Sequence, residues 1–253
     1  MKSILVLGGA GFAGSGISRR RLEKGDKIRV LDVIAPLHSG FSQDELSKID
    51  YRWKSKQDMI PSDYDGIDIV LDLAAQADVP AGFTMPRWTI EQNVMGTVQA
   101  LEAAKNAKLE KFIIASSGNV FGRLIYAPID EKHPLTSHNP YAFSKAAQEM
   151  AGWAYHRCYN IPVVIMSNGA CLGPGMRKEI FIYKWLFNIL QDKPVVLEGG
   201  NQTRDLTYVS DILDAWELVI DAPPEKVVDE KFQVSYGKEL PVWEILKMCC
   251  EIC

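Results

Sequence analysis

The sequence has few cysteines and histidines, and they do not form a complete metal-binding motif. It contains five cysteines and four histidines in 253 residues. An odd number of scattered cysteines does not make the disulfide framework of a small secreted protein, and it fits reduced thiols in a cytoplasm. Cys250 and Cys253 have a metal-like spacing, but no second pair and no histidine lie near them in the sequence. We therefore expect no metal and a cytoplasmic protein.

The sequence also lacks long hydrophobic runs and an excess of positive charge. No apolar run reaches the roughly 18 residues of a membrane-spanning helix. The formal net charge is -4, from 28 basic and 32 acidic residues, whereas surfaces that bind nucleic acid or anionic lipid are basic. The apolar start, Met1–Leu7, continues into glycines without a signal-peptide cleavage region, so we interpret it as a strand. We expect no nucleic-acid partner and no membrane partner.

Short apolar runs alternate with amphipathic patterns along most of the chain. Runs rich in valine and isoleucine predict strands at Ile4–Leu7, Lys27–Leu31, Ile67–Leu71, Phe112–Ala115 and Pro162–Met166. Helical patterns lie between them, at Gly11–Lys24, Thr89–Ala107 and Pro140–Tyr159. This alternation predicts an α/β fold with a doubly wound parallel sheet.

The pattern loosens after Met166. We expect residues 1–166 to form the sheet domain and residues 167–253 to form a smaller lobe over the carboxyl ends of the strands, where ligands bind in such folds. The chain stops directly after a predicted helix at Pro241–Cys250. We therefore expect this lobe to be incomplete.

A glycine-rich turn joins the first strand to the first helix and predicts a dinucleotide site. Gly8, Gly11 and Gly14 stand three apart, with Phe12 and Ala13 between the last two. Small residues let a backbone approach a pyrophosphate at a helix N-terminus. Asp32 ends the next strand, where a carboxylate would bind a ribose and repel a 2′-phosphate. We therefore predict a Rossmann-like domain that binds NAD, although a plain turn and an NADP site aided by Arg19–Arg21 stay open.

Two segments farther on are weaker candidates for contact with the cofactor. Leu73-Ala74-Ala75 follows a strand, and its small residues suit either a nearby cofactor or tight packing. Asn93 lies inside a predicted helix, where asparagine is a middling former, so its amide is expected to bind a ligand or a neighbouring loop.

Tyr141 and Lys145 are candidates for an activated acid–base pair. Residues at i and i+4 share one face of a helix, and a nearby ammonium favours a phenolate. Ser117 follows a strand at the same predicted edge, in a segment that ends with Asn119 and could equally be an ordinary turn. A serine hydroxyl there could bind a substrate hydroxyl while Tyr141 takes its proton.

Together these motifs resemble the extended short-chain dehydrogenases/reductases. The glycine turn, Asp32, Leu73-Ala74-Ala75, Asn93-x-x-Gly96-Thr97, Ser117 and Tyr141-x-x-x-Lys145 stand in the order and spacing of that family. Gly173-Pro174-Gly175 and the segment from Gln202 to Asp211 resemble its nucleotide-sugar epimerase/dehydratase branch. The likeness covers essentially the whole chain.

The resemblance implies a role for each matching residue. The glycine turn and Asp32 would hold NAD, Asp58 would reach the adenine, and Lys145 would also bind the nicotinamide ribose. Ser117, Tyr141 and Lys145 would be catalytic, and a nucleotide-diphosphate sugar would be the substrate. Its further contacts would be Asn119, Asn168, Arg204 and Tyr208, of which Arg204 would meet the diphosphate. The helices Thr89–Ala107 and Pro140–Tyr159 would pair in a homodimer.

One departure narrows the reaction. Relatives that dehydrate sugars place an Asp-Glu pair directly after the catalytic hydroxyl residue, but this chain has Gly118 and Asn119 there. We therefore favour epimerisation, most simply at C4. Epimerisation at C2, as in the CDP-sugar 2-epimerases that the segment around Ser117 also resembles, and net NAD(P)-dependent oxidation or reduction stay open. So does an NAD-binding sensor or scaffold without turnover.

Overall fold

The computed structural model describes residues 1–253, with ten strands and nine α-helices. The strands are β1 (Ser3–Leu7), β2 (Lys27–Asp32), β3 (Ile49–Trp53), β4 (Ile69–Asp72), β5 (Lys111–Ser117), β6 (Val163–Asn168), β7 (Ala170–Leu172), β8 (Thr203–Tyr208), β9 (Lys231–Val234) and β10 (Glu239–Pro241). The helices are α1 (Phe12–Glu23), α2 (Gln43–Lys48), α3 (Val79–Thr84), α4 (Pro86–Ile90), α5 (Gly96–Ala104), α6 (Pro140–Tyr159), α7 (Phe181–Ile189), α8 (Val209–Asp221) and α9 (Val242–Ile252).

Seven strands form one parallel sheet in the order β3-β2-β1-β4-β5-β6-β9. Its central strands are apolar on both faces because helices cover both. One face packs against α1 and α8 through Ile17, Ile212 and Trp216. The other face packs against α5 through Ala100 and Leu101. The predicted α/β fold with a doubly wound parallel sheet is confirmed.

The sequence revealed neither edge strand of this sheet, β3 or β9. Strand β3 reads Ile49-Asp50-Tyr51-Arg52-Trp53 and ends in exposed side chains. An edge strand has one neighbour and one solvent side, so it need not be a continuous apolar run. The predicted helix Thr89–Ala107 is also divided, because Glu91–Met95 forms a π-helical segment between α4 and α5.

The smaller unit has a three-stranded sheet in the order β10-β8-β7. The helices α7 and α9 pack on each other through a separate apolar cluster that includes Trp185, Val242 and Ile245. The rest of residues 167–253 returns to the large sheet, since β9 pairs with β6 and Trp216 of α8 is buried in the main core. The expected boundary at residue 166 therefore does not separate two contiguous domains. No helix combines the length and the apolar character needed to cross a bilayer.

Candidate functional site

The glycine turn lies where β1 passes into α1, and its geometry admits no side chain at two positions. Gly8 has φ +78°, a conformation that favours glycine, and a Cβ there would stand 2.7 Å from the backbone of Ala74. A Cβ on Gly14 would stand 2.2 Å from the carbonyl oxygen of Gly8. The turn, the start of α1 and the segment after β4 are thus packed backbone against backbone. Phe12 and Ala13 form the first turn of α1, whose amides face this loop.

Asp32 fixes this turn from the end of β2. Its carboxylate accepts hydrogen bonds from the backbone amides of Ala10 and Ile34, both at 2.9 Å. Beside it is a cavity of about 310 Å³. The cavity is lined by Gly8, Gly11, Leu31, Asp32, Val33, Ile34, Lys54, Ser55, Lys56, Leu73, Ala74, Ala75, Gln76, Trp88 and Gln92. A glycine turn, a helix N-terminus and a carboxylate at one sheet edge fit the pyrophosphate and ribose of NAD.

Two expected cofactor residues lie elsewhere. Asp58 is exposed and does not line the cavity, whereas Ser55, three residues earlier and two residues after the end of β3, does. Asn93 is fully buried, and its side chain accepts from the amide of Gln76 at 2.7 Å and donates to the Gln76 carbonyl at 3.0 Å and the Ser144 hydroxyl at 2.8 Å. Its amide therefore holds the loop after β4 against α6, as the loop alternative anticipated. Recognising Ser55 would have required placing β3 in the sheet.

The basic run Arg19–Arg21 does not face the cavity. Arg19 pairs with Glu45 at 2.8 Å and lies over the ring of Phe41. Arg20 and Arg21 pair with acidic side chains of α8, namely Asp214, Glu217 and Asp221. These guanidinium groups join α1 to its neighbours and do not line the dinucleotide cavity, whereas Asp32 does.

The three predicted catalytic residues converge at the carboxyl end of β5. Ser117 ends that strand, and Tyr141 and Lys145 lie one turn apart on α6, all three of them buried. Helix α6 begins sharply because the side chain of Asn139 accepts from the amide of Ala142 at 2.8 Å and proline occupies the first helical position. The ammonium of Lys145 donates to the carbonyl of Ala115 at 2.9 Å. The hydroxyl of Ser117 lies close enough to the phenol of Tyr141 to act on its pKa.

The electrostatics of the pair differ from the sequence expectation. Burial raises the pKa of Tyr141, while the hydroxyl of Ser117 and the charge of Arg177 act to lower it. Burial lowers the pKa of Lys145 to about 7, with the charge of Lys56 acting in the same direction. The ammonium of Lys145 is turned toward the carbonyl of Ala115, and its charge is not among the causes that shift the pKa of Tyr141. The cation that lowers the pKa of the phenol is Arg177, which sequence reasoning missed.

Arg177 reaches this site from the segment after β7. Its guanidinium donates to the carbonyl of Ala77 at 2.8 Å and lies 4.0 Å from the carboxylate of Asp78. The signal that could have found it is the turn Gly173-Pro174-Gly175 two residues earlier, which brings the chain back over the sheet edge.

The predicted substrate residues spread from Ser117 into the smaller unit. Asn119 is exposed, and both its backbone and side-chain nitrogens donate to the Ser117 hydroxyl, at 3.3 and 3.2 Å. Asn168 lies opposite Ser117 in the sheet register, but its amide oxygen accepts from the indole of Trp216 at 3.1 Å. Tyr208 is exposed at the start of α8.

Arg204 lines a second cavity, of about 410 Å³, in the smaller unit. This cavity is lined by Glu179, Phe181, Lys184, Trp185, Asn188, Pro194, Val196, Glu198, Gln202, Arg204 and Val242. The segment from Arg177, whose charge acts on Tyr141, to Phe181, which lines this second cavity, connects the two sites. An exposed guanidinium, a lysine and aromatic rings at its wall suit a phosphate and a planar base.

Comparisons with known proteins agree with this geometry. The profile of the NAD dependent epimerase/dehydratase family matches residues 4–235. A putative UDP-glucose 4-epimerase of Methanocaldococcus jannaschii is 31% identical over 252 residues, which are 96% of this chain and 79% of that protein. The human dTDP-D-glucose 4,6-dehydratase is 32% identical over 232 residues, which are 87% of this chain and 65% of that enzyme.

Solved structures give the same result. UDP-glucuronic acid 4-epimerase from Bacillus cereus, crystallised with UDP-glucuronic acid and NAD, superposes with a TM-score of 0.92 at 28% identity, covering 99% of this chain and 82% of that one. The predicted resemblance and the predicted cofactor are confirmed: the chain belongs to the NAD dependent epimerase/dehydratase family, and its cofactor is NAD.

Proposed function

We propose that the protein interconverts the C4 epimers of a nucleotide-diphosphate sugar through a transient keto sugar. The observation that carries this proposal is a complete Ser117–Tyr141–Lys145 set followed by Gly118 and Asn119. Loss of water from a sugar needs an acid and a base beyond the tyrosine. Neither glycine nor asparagine supplies one, and no carboxylate follows Ser117.

Each side chain has a part in this reaction. The glycine turn and Asp32 would hold NAD, which would supply a reversible hydride acceptor beside the sugar carbon. Tyr141 takes the proton of the sugar hydroxyl, and Ser117 holds that oxygen by a hydrogen bond. Lys145 binds the nicotinamide ribose. Arg177 favours the phenolate form of Tyr141, because its charge lowers the pKa of that phenol.

The second cavity is the proposed site of the nucleotide. Arg204 would bind the diphosphate and the walls around Phe181 and Trp185 would hold the base. An epimerase has to turn its sugar while keeping the rest of the substrate fixed. A nucleotide anchor separate from the Tyr141 centre supplies that pivot.

The protein is proposed to work as a cytoplasmic homodimer. Large apolar side chains are exposed along α4, the π-helical segment and α6, namely Trp88, Met95, Phe143 and Met150. They lie along the two helical regions that the family resemblance implies would pair in a homodimer. Sedimentation should show a dimer, and Phe143→Glu should convert it to a monomer, since a carboxylate would be buried unpaired.

A panel of UDP-, GDP-, CDP- and dTDP-sugars tests the reaction. The purified protein with NAD should produce the C4 epimer of at least one of them, detected by NMR, with no net NADH. Steady NADH formation would indicate an oxidoreductase, a C2 epimer a 2-epimerase, and a 4-keto-6-deoxy sugar a dehydratase. Absence of turnover with NAD bound would favour a sensor or scaffold. Any of these four results contradicts the proposal.

A further inference from the structure

Lys56 is a buried cation beside the dinucleotide cavity that the reaction described above does not use. It is 5% exposed and follows β3 by three residues. Its aliphatic chain crosses the start of α5 at Gly96, where a Cβ would stand 2.6 Å from the Lys56 side chain. The passage over a glycine brings the ammonium beneath the end of β4 and out of solvent.

The ammonium of Lys56 is fully engaged there. It donates to both oxygens of Asp72, at 3.0 and 3.3 Å, to the carbonyl of Ala74 at 2.6 Å and to the hydroxyl of Thr97 at 3.1 Å. Asp72 is completely buried, so the pair has no solvent screening. Ala74 belongs to the segment whose backbone packs against Gly8 and lines the cavity. Lys56 therefore ties the floor of the dinucleotide site to β4.

The same network reaches the catalytic helix. The hydroxyl of Thr97 donates to Asp72 and accepts from the side-chain amide of Gln148. Gln148 lies on α6, three residues after Lys145, and both it and Thr97 are fully buried. A continuous chain of hydrogen bonds thus runs from Ala74 through Lys56, Asp72 and Thr97 to α6.

We propose that Lys56 is a positioning residue for the NAD reaction, in which its buried ammonium holds the Ala74 segment against the cofactor and, through Asp72, Thr97 and Gln148, sets the position of Lys145 on α6. Its role in turnover rests on the proposed function, whereas its effects on NAD binding and on Lys145 do not.

The charges around Lys145 support this assignment. The charges that act on this ammonium are Lys56 from the segment after β3, Asp72 from β4 and Glu149 from its own helix, while β5 presents the carbonyl of Ala115. Lys56 acts to lower the pKa of Lys145, and Asp72 and Glu149 act to raise it. Removing Lys56 or Asp72 should therefore move the ionisation of Lys145 in opposite directions.

The test begins with cofactor-free protein and uses no sugar. It measures two quantities, the titration midpoint of Lys145 and the dissociation constant of added NAD. Lysine side chains labelled with carbon-13 at Cε are titrated by NMR, and the Lys145 signal is assigned by its loss in Lys145→Met. In Lys56→Met the midpoint of Lys145 should rise by about half to one unit. The dissociation constant of NAD, measured by calorimetry, should rise about tenfold as the Ala74 segment loses its anchor. In Asp72→Asn the midpoint should fall.

Lys105→Met is the matched control, because Lys105 lies on the exposed side at the end of α5 and pairs with Glu102. It should change neither measurement. Lys56→Met leaves the buried carboxylate of Asp72 without its partner, which can prevent folding. In that case the double variant Lys56→Met/Asp72→Asn, which removes both charges, takes its place. In the double variant NAD affinity should stay lowered and the Lys145 midpoint should return toward the wild-type value.

Two results would overturn the proposal. One is wild-type NAD affinity in every folded variant that lacks Lys56. The other is a Lys145 midpoint that moves in the same direction in Asp72→Asn and in Lys56→Met. Where the double variant replaces Lys56→Met, the corresponding result is a midpoint that does not return from the Asp72→Asn value toward the wild-type value. Because no sugar is present, these results are independent of whether the protein is an epimerase.

Discussion

The cofactor end of this protein and its proposed substrate end are built differently. At the cofactor end, backbone meets backbone at Gly8 and Gly14, and Asp32 holds the loop by two amide hydrogen bonds. At the substrate end, Arg204 and Tyr208 are exposed, and the guanidinium of Arg204 donates to the carbonyl of its neighbour Thr203 at 2.7 Å. One end is fixed by the chain itself, and the other depends on side chains that can move.

The difference suits a reaction in which NAD stays and the sugar turns. A hydride transfers well only when donor and acceptor are held in close alignment. The cofactor must therefore be held rigidly through both half-reactions, whereas the keto sugar must present both faces in turn. Tyr141 stands between the two ends, on a helix anchored to the rigid one.

The largest effect is expected at that boundary. Tyr141→Phe removes the acid–base hydroxyl and should lower kcat by about a thousandfold while NAD affinity stays within about twofold. Steady-state kinetics and NAD titration would measure both. Tyr155→Phe on the same helix, whose hydroxyl bonds to Glu102 at the surface, is the control. Unchanged kcat in Tyr141→Phe would show that another group moves the proton.

The next largest effect is expected for a substitution in the glycine turn at the cofactor end. Gly14→Ala brings a Cβ within 2.2 Å of the Gly8 carbonyl. The turn must shift, so NAD affinity should fall by about a hundredfold, roughly 2.7 kcal/mol. Gly16→Ala on the same helix meets only a methyl of Leu213, a side chain that can give way. Equal NAD affinity in the two variants, measured by calorimetry, would mean that the turn is not the rigid element described above.

A substitution at the proposed substrate end should have a smaller effect on catalysis. Arg204→Ala removes one charge-assisted contact and should raise KM for the nucleotide-sugar about tenfold with little change in kcat. Lys193→Ala, at an exposed loop, should leave both constants unchanged. A fall in kcat with unchanged KM in Arg204→Ala would instead place this residue at the reacting centre.

The smallest effect is a dependence of stability on pH. The folded pKa of Lys145 is lowered from 10.5 to about 7. Between these values the unfolded chain binds more protons at this site, so its contribution to the free energy of unfolding rises with pH. From pH 7 to pH 8 that contribution should grow by about 1 kcal/mol, and Lys145→Met should abolish it. Urea unfolding of the cofactor-free wild type and Lys145→Met, each at both pH values, measures this difference. If burial does not shift the pKa of Lys145, the free energy of unfolding will change equally with pH in the two proteins.

The sequence predicted what local pattern determines. Helix α6 spans Pro140–Tyr159, the range that its helical pattern predicts, and the central strands follow the apolar runs. The edge strand β3 was missed because half of it faces solvent. The π-helical segment before Gly96 has neither proline nor glycine within it to mark the break.

The site was predictable as a set of residue types but not as a set of contacts. The charge of Arg177 acts on Tyr141, which lies 36 positions earlier in the sequence. The side chain of Asn93 binds the loop at Gln76 and not a ligand. Lys56 resembles an ordinary surface lysine until Gly96 and Asp72 are seen around it. Such pairings depend on which segments the folded sheet brings together, which spacing along the chain does not encode.

The most direct test of C4 epimerisation uses a nucleotide-sugar that is accepted by the protein and carries deuterium at C4. The account predicts that the epimeric product keeps the deuterium at C4, since NAD returns to the same carbon the hydride that it removed. Deuterium found at C6, lost to water or left in released NADH would contradict it.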